Sequence, residues 1–223
     1  MTIAQPATEQ QKRGIKKTII AAVIIIAVFF SLFLNKMLSP RVMSAAELRT
    51  NGAILFERPR VIEAFTLLDH QGKPFTLEQL KGRWSYVFFG FTHCPDICPN
   101  TLSKLSQVYS QLAADTRENL QVIMVSVDPA RDTPQKLGEY IPFFNPNFIG
   151  LTGEFLEIMK LTQNLNAAFN KVPMGDSYTI DHTANVIVIN PKGHYHGFLK
   201  PPLELAKAKA IMHSIPEHMA ERY

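Results

Sequence analysis

The chain contains two cysteines, Cys94 and Cys98, and only three residues separate them. On a helix, residues four apart lie on one face with Cβ atoms about 5–6 Å apart. Two sulfur atoms at this spacing can bind one metal ion or, after a modest adjustment, close a disulfide. A disulfide here would enclose too small a loop to constrain the unfolded chain appreciably. The pair therefore indicates metal or redox chemistry rather than a structural crosslink.

A third metal ligand has to come from elsewhere in the chain. Two soft thiolates indicate copper or zinc rather than magnesium or calcium, and two sulfur atoms leave either site incomplete. Of the seven histidines, we favour His182, because it lies between two candidate strands in a segment that could reach the turn containing Cys94 and Cys98. The alternative is an ordinary surface histidine. His93 is adjacent to Cys94, but its side chain is expected to point elsewhere.

The remaining histidines and one methionine are weaker candidates. His194 and His196 alternate along a candidate strand and so share a face, which allows either a weak auxiliary metal site or the rim of a hairpin. Met174 carries a thioether that suits copper(I), although a single loop methionine usually packs against its neighbours. The other histidines are expected to be solvated: His70, His213 and His218.

The elements on either side of the cysteines must position them. Residues 84–91 are aromatic and β-rich without alternation, as in a strand buried on both faces, and they lead directly into the cysteine segment. After Pro99, apolar residues recur at helical spacing: Leu102, Leu105, Val108, Tyr109 and Leu112. The pair thus lies at the start of a helix, where free amide groups and the helix dipole favour thiolates.

The rest of the sequence alternates between predicted strands and helices. Strands are predicted at residues 65–68, 75–76, 120–127, 148–151, 178–180, 185–190 and 195–199. Helices are predicted at residues 45–49, after residues 133–134, from 154 to about 169 and from 203 to about 213. This order indicates one α/β domain whose mixed sheet is flanked by helices. The strand, cysteine turn and helix follow the thioredoxin-like arrangement.

The N-terminal segment indicates a transmembrane helix. Between Ile19 and Leu34 the only polar residue is Ser31, and sixteen helical residues rise about 24 Å, slightly less than a typical hydrocarbon core. Flanking lysines can extend to the interfaces: Lys16, Lys17 and Lys36. A buried core helix would need a polar face that this segment lacks. A cleaved signal peptide is the other alternative, and we favour an uncleaved anchor.

Charge distribution predicts the orientation of this anchor. Four basic residues precede the apolar stretch and two follow it closely, which places the N-terminus in the cytoplasm. The predicted organisation is a cytoplasmic N-terminus (1–17), a transmembrane anchor (18–35), a tether (36–55) and a thioredoxin-like domain (56–223). The domain is expected in the periplasm on a single-pass inner-membrane protein, or in the mitochondrial intermembrane space. A net charge of +4 without basic runs beyond the N-terminus gives nucleic-acid binding little support.

Three sequence blocks resemble the Sco/SenC family of copper-binding proteins. Residues 89–99, which contain both cysteines, resemble the family signature, and residues 125–134 and 181–183 resemble its second and third blocks. The resemblance extends from about residue 56 to 213, with the blocks in the family's order. It implies a thioredoxin-like fold and a copper site made of Cys94, Cys98 and His182. It also places Asp128 near that site, where its carboxylate could steer the ligands or accept a hydrogen bond; an ordinary Asp-Pro turn at the end of a strand is the alternative.

The resemblance further implies a role in assembling cytochrome c oxidase. In this role the protein would deliver copper to the dinuclear centre of subunit II, with other copper chaperones or thioredoxin-like reductants as further partners. The alternative is a thiol–disulfide reductase that keeps the cysteines of that subunit reduced, with Cys94 and Cys98 as the redox pair. Ordinary oxidoreductases of this fold use a C-x2-C motif, so the extra residue favours a metal site. A copper sensor stays open, whereas residues 91–94 do not reproduce a peroxiredoxin motif.

Overall fold

The computed structural model describes residues 9–38 and 41–219. The chain divides into two compact units, the first ending at Arg41 and the second beginning at Val42. Parts of the predicted cytoplasmic segment (1–8), tether (39–40) and domain (220–223) lie outside the described residues. The first unit contains helix α1 (Glu9–Leu38). Within it, Arg13–Leu34 is long and apolar enough to cross a membrane, so the predicted anchor is present as a candidate span.

The second unit is built on an eight-stranded mixed sheet. Its strands lie in the order β1-β10-β9-β4-β5-β6-β2-β3, and β4, β5 and β6 are parallel while the other pairs are antiparallel. The strands of the unit are β1 (Ala53–Val61), β2 (Thr66–Asp69), β3 (Pro74–Thr76), β4 (Trp84–Gly90), β5 (Leu120–Ser126), β6 (Ile149–Thr152), β7 (Phe169–Met174), β8 (Ser177–His182), β9 (Val186–Ile189) and β10 (His194–Leu199). Every residue of β4, β5 and β9 is buried, which for β4 confirms the predicted strand buried on both faces.

Helices flank this sheet, as the sequence predicts. They are α2 (Ala45–Thr50), α3 (Ile97–Gln111), α4 (Ala114–Glu118), α5 (Pro134–Phe144), α6 (Phe155–Asn164) and α7 (Leu205–Met219). The start of α5 follows local chemistry, because the Thr133 side chain accepts a hydrogen bond from the Lys136 amide at 3.2 Å and Pro134 occupies the first turn. Helix α3, which carries Cys98, contacts both α5 and α7.

The folded unit begins earlier than the sequence indicates. Helix α2 and strand β1 occupy much of the segment assigned to a tether, and Leu48 and Ala53 are buried in the core. Strand β1 is an edge strand that pairs with β10, and its pairing is irregular between Leu55 and Arg60. Its charged residues and Pro59 mask the strand pattern, and proline is tolerated there because an edge strand leaves one row of amides unpaired.

Two helix boundaries also differ from the prediction. Helix α6 ends at Asn164 rather than near residue 169, because Asn166 adopts a left-handed conformation with φ of 51° and the chain turns into β7. Helix α7 continues to Met219. Strand β8 pairs with β7 as a separate two-stranded sheet. Met174, which was expected in a loop, is therefore the last residue of β7.

Candidate metal centre

The two cysteines lie where the buried strand β4 gives way to helix α3. After β4 ends at Gly90, the amide of Cys94 donates to the Phe91 carbonyl at 3.2 Å, which closes a turn. Cys98 lies in the first turn of α3 and is completely buried, whereas Cys94 is partly exposed. The Cys98 amide donates to the Cys94 sulfur at 3.4 Å. The helix start therefore supplies a donor to the more accessible sulfur, as the sequence predicts.

His182 lies at the end of β8 and meets the cysteines there. Its Nε2 atom is 3.4 Å from the Cys98 sulfur, and one ligand atom from each of Cys94, Cys98 and His182 lies within 4.8 Å of the others. Among the described residues, this is the group of three or more His, Cys, Asp or Glu side chains close enough to share a metal ion. The structure thus brings together the three residues selected from the sequence.

The orientation of the His182 ring suits a ligand role. Its Nδ1 lies 3.3 Å from the Thr183 carbonyl oxygen, so Nδ1 carries the proton and donates, which leaves the lone pair of Nε2 facing the sulfurs. The ring packs edge-on against two aromatic rings, with centroid distances of 5.8 Å to Phe88 and 5.9 Å to Phe91. These contacts limit rotation of the imidazole.

The two thiols differ strongly in acidity. A hydrogen bond from the Cys98 thiol is the main cause that lowers the pKa of Cys94. Partial burial raises this pKa, and hydrogen bonds from the backbone amides of Cys98 and Asp96 lower it further. The resulting Cys94 thiolate, together with burial, raises the pKa of Cys98. The pair therefore holds one proton on Cys98 and a negative charge on Cys94. Thiol exchange requires the Cys94 thiolate, and a metal ion bound by both sulfurs would also displace the Cys98 proton.

We expect iodoacetamide to modify Cys94 selectively in the metal-free protein, with a rate that changes little between pH 8 and pH 6. The thiolate fraction of an unperturbed thiol would fall roughly 75-fold over this interval, whereas the lowered pKa of Cys94 keeps this residue ionised at both pH values. Mass spectrometry of the labelled peptides measures both rates. In Cys98→Ala the main stabilising hydrogen bond is lost, so the ordinary pH dependence should return. Equal labelling of both cysteines would contradict this assignment.

Gly90 provides the space that Cys98 occupies. A Cβ atom at Gly90 would lie 2.9 Å from the Cys98 sulfur and 2.9 Å from Cε1 of Phe88, which is closer than normal packing allows. Gly150 on β6 is similarly crowded, but there a Cβ would meet Ile141 Cγ1 at 2.8 Å, away from the cysteines. Substitutions at these two glycines therefore distinguish the effect of crowding at the cysteine site from the effect of crowding elsewhere in the core.

Gly90→Ala is expected to weaken copper binding about tenfold, because Cys98 must move to relieve the overlap, and to cost about 2 kcal/mol of stability. Gly150→Ala is the matched control, with a similar loss of stability and unchanged copper affinity. Competition with a copper chelator measures affinity, and denaturant unfolding measures stability. Equal losses of affinity in both variants would mean that Gly90 has no particular relation to the site.

Asp132, a residue that no sequence motif singled out, fixes the segment that precedes Cys94. This completely buried carboxylate accepts hydrogen bonds from the Thr92 amide at 2.9 Å, the Thr92 hydroxyl at 2.6 Å and the Ser126 hydroxyl at 2.6 Å. It thereby ties the cysteine turn to the end of β5. Sequence gave no signal for this role, because an aspartate just before the Thr133 cap is equally typical of an ordinary helix start.

Asp128 makes its side-chain contacts with Tyr178 on strand β8 and with Arg131. Its buried carboxylate accepts from the Tyr178 hydroxyl at 2.8 Å and from Arg131 Nε. Tyr178 lies on β8, the strand that ends in His182. Asp128 was expected to form hydrogen bonds near the site. The bond that it accepts from Tyr178 connects the loop after β5 to β8, the strand that carries His182.

The other histidines lie outside the cluster. His93 is exposed and contacts the Thr92 hydroxyl at 3.1 Å. His196 is buried with its ring edge-on to Trp84 at 5.3 Å, so it belongs to the core, and neither it nor His194 joins a metal-binding group in the described part of the chain. The prediction that His70 is simply solvated was wrong, because its partly buried Nδ1 accepts from the Gly150 amide at 3.1 Å.

One methionine and two histidines remain from the candidates named in the sequence. Met174 is exposed near the turn of the β7–β8 hairpin. His213 is partly buried on α7, so the expectation that it is solvated holds only in part. His218 also lies on α7, and its side chain is outside the described part of the structure.

Comparison with known proteins identifies the family. The SCO1/SenC family model matches residues 56–219. The chain belongs to the SCO1/SenC family. A relative from Stutzerimonas stutzeri, whose name describes a copper-binding protein, is 41% identical over 165 residues, covering 73% of this chain and 80% of the relative. Five mitochondrial relatives are matched over 40–61% of their own length.

Solved structures of Sco proteins share the fold. Copper-bound ScoI from Bradyrhizobium japonicum superposes with a TM-score of 0.63 at 34% identity, covering 69% of this chain and 98% of that one. BsSco, described as a Sco-family cytochrome c oxidase assembly protein with a disulfide switch, gives a TM-score of 0.57 at 26% identity, covering 72% of this chain and 95% of that one. The thioredoxin-like Sco fold predicted from the sequence is therefore confirmed.

Proposed function

We propose that this SCO1/SenC protein is a membrane-anchored copper chaperone that binds one copper ion through Cys94, Cys98 and His182. The observation that carries the proposal is the convergence of two sulfur atoms and one imidazole nitrogen within 4.8 Å. Its recipient is the dinuclear copper centre of cytochrome c oxidase subunit II. The copper-bound ScoI structure and the oxidase-assembly description of BsSco support this proposal.

The donor set fits copper better than the alternatives. Thiolate sulfur and imidazole nitrogen are ligands for copper and zinc, whereas magnesium and calcium select oxygen. Structural zinc sites use four protein ligands, and the group found among the described residues offers three. Two sulfurs and a nitrogen can hold copper(I) in three-coordinate form, and they can hold copper(II) with an additional ligand such as water.

The candidate membrane span supports a location beside the recipient. Helix α1 is long and apolar enough to cross a membrane, and the basic residues before it favour a cytoplasmic N-terminus. The copper-binding domain then lies in the periplasm, or in the intermembrane space of mitochondria. Other copper chaperones would supply the metal, and thioredoxin-like reductants would keep the two cysteines reduced.

A thiol–disulfide reductase is the second candidate, and the acidity of Cys94 favours it. The Cys94 thiolate would attack a disulfide of subunit II, release one target thiolate and form a mixed disulfide, and Cys98 would then displace the second target thiolate. The target gains two electrons from the pair, one proton from Cys98 and one from water, and becomes two thiols, while Cys94 and Cys98 become a disulfide. This reaction prepares the recipient cysteines for copper and requires no ligand from His182.

One transfer experiment separates the two functions. The copper-loaded full chain in detergent is mixed with the metal-free, reduced soluble domain of subunit II, and the visible absorption of the dinuclear centre is followed. We expect wild type and His194→Ala to transfer copper, and His182→Ala to transfer at least about tenfold less. In parallel, thiol titration of a disulfide-containing subunit II domain measures reduction. Equal copper transfer by His182→Ala would contradict the proposed ligand set.

A further inference from the structure

The hairpin formed by β7 and β8 lies outside the main sheet and contributes little to the core. Its two strands pair with each other as a separate sheet. Among the residues of these two strands, all of which the structure describes, only Ile180 is buried. His182 is the last residue of this hairpin. The position of the third ligand therefore depends on the contacts that fix the hairpin to the rest of the domain.

Three side chains make such a contact, and we call them the Tyr178 cluster: Asp128, Arg131 and Tyr178. The Asp128 carboxylate, whose residue is only 3% exposed, accepts from the Tyr178 hydroxyl and from Arg131 Nε. Arg131 Nη1 donates to the Tyr178 carbonyl at 3.1 Å, and its guanidinium carbon lies 3.8 Å from the Tyr178 ring centroid. Arg131 therefore pairs with Asp128, donates to the Tyr178 carbonyl and stacks on the Tyr178 ring at the same time. A lysine could not make all three contacts, so it would restrict the position of Tyr178 less.

The Tyr178 cluster is connected to His182 by two routes. Side chains two residues apart on a strand share a face, so Tyr178, the buried Ile180 and His182 all face the same side of β8. The guanidinium carbon of Arg131 also lies 5.7 Å from the centroid of Phe91, and Phe91 packs edge-on against the His182 ring. Arg131 thus contacts both the strand that carries His182 and an aromatic ring that orients it.

We propose that Asp128, Arg131 and Tyr178 are positioning residues that hold β8 where His182 Nε2 reaches the cysteine sulfurs. They thereby set the affinity for copper(II) more than the affinity for copper(I). This inference rests on the copper-binding function proposed above. The difference follows from ligand preference, because soft thiolates suit copper(I), whereas copper(II) gains more from an imidazole nitrogen. Loosening the hairpin removes that nitrogen while both sulfurs stay in place.

Two mild substitutions and a matched control test the inference in the full chain in detergent. Tyr178→Phe removes the hydroxyl but keeps the ring, and Arg131→Lys keeps the positive charge beside Asp128, so neither leaves that carboxylate without a cation. Lys171→Gln is the control, because Lys171 Nζ lies 3.5 Å from the same ring centroid but is exposed and outside the cluster. Copper(II) and copper(I) affinities are measured by chelator competition, and thiolate-to-copper absorption and nitrogen hyperfine splitting report His182 coordination.

We expect copper(II) affinity to fall about fivefold in Tyr178→Phe and about tenfold in Arg131→Lys, with weaker nitrogen splitting. Copper(I) affinity should change less than twofold, as should both affinities in Lys171→Gln. A double-mutant cycle provides the decisive comparison. Once His182→Ala has removed the nitrogen, neither cluster substitution should weaken copper(II) binding further, because there is no imidazole left to position.

Two results would overturn the inference. One is an equal loss of copper(II) affinity with and without His182→Ala, which would show a general structural effect. The other is unchanged affinity and nitrogen splitting in both cluster variants. Failure of the proposed function looks different, because wild type would then bind no copper or would bind it equally well after His182→Ala.

Discussion

Cys94→Ala is expected to abolish stoichiometric copper binding and to weaken the residual affinity at least about a thousandfold, or roughly 4 kcal/mol. The substitution removes the sulfur that carries the negative charge of the site, since hydrogen bonds, chiefly the one from the Cys98 thiol, lower the pKa of Cys94 despite its partial burial. It leaves a neutral thiol and an imidazole, which lack the charge that stabilises a bound cation. The copper content of the full chain after dialysis against a chelator measures the effect.

The loss of copper binding should not reflect unfolding. Cys94 is partly exposed, so deleting its sulfur should cost only about 1 kcal/mol of stability. Met174→Leu is a matched control, because it deletes an exposed sulfur on the hairpin that carries His182 and should leave copper binding unchanged. Full-strength copper binding by Cys94→Ala would show that the metal binds elsewhere, and loss of binding in Met174→Leu would add a thioether to the ligand set.

The two cysteines of this site could be predicted from the sequence because their signals are local. The spacing of Cys94 and Cys98, the continuous apolar strand before them and the helical periodicity after them fix the cysteine turn without knowledge of the rest of the fold. His182 is different, since it is 84 residues from Cys98 along the chain. Residue chemistry left it one candidate among several, and the family resemblance was needed to select it.

Features that depend on tertiary pairing could not be predicted from the sequence. Strand β1 contains Pro59 between two arginines, a pattern typical of a loop, and it becomes a strand only because β10 offers an edge. Strand β8 could have paired with β9 as readily as with β7, because nothing in its own residues specifies the partner. Pairing with β7 places it outside the main sheet and makes the position of His182 depend on Asp128 and Arg131.

Asp132→Ala is expected to destabilise the domain by about 3 kcal/mol and to weaken copper binding roughly 10- to 100-fold. The buried carboxylate accepts three hydrogen bonds, from the Thr92 amide and hydroxyl and from the Ser126 hydroxyl. Alanine leaves these donors without their acceptor at a position where the carboxylate and the Ser126 side chain are completely buried. Thr92 lies two residues before Cys94, so loosening it loosens the cysteine turn as well. Chemical denaturation and copper competition measure the two effects.

Asp132→Asn should be much milder than Asp132→Ala, and this difference tests the mechanism. An amide oxygen at the position of Oδ2 keeps the bonds from the Thr92 amide and the Ser126 hydroxyl, while the new NH2 group can donate to the Thr92 hydroxyl after that hydroxyl rotates. We expect a cost of about 1 kcal/mol and nearly full copper affinity. Asp176→Asn removes an exposed carboxylate and should be neutral. If asparagine proves as damaging as alanine, the negative charge of Asp132 matters more than its hydrogen bonds, and its effect on the cysteines is electrostatic rather than geometric.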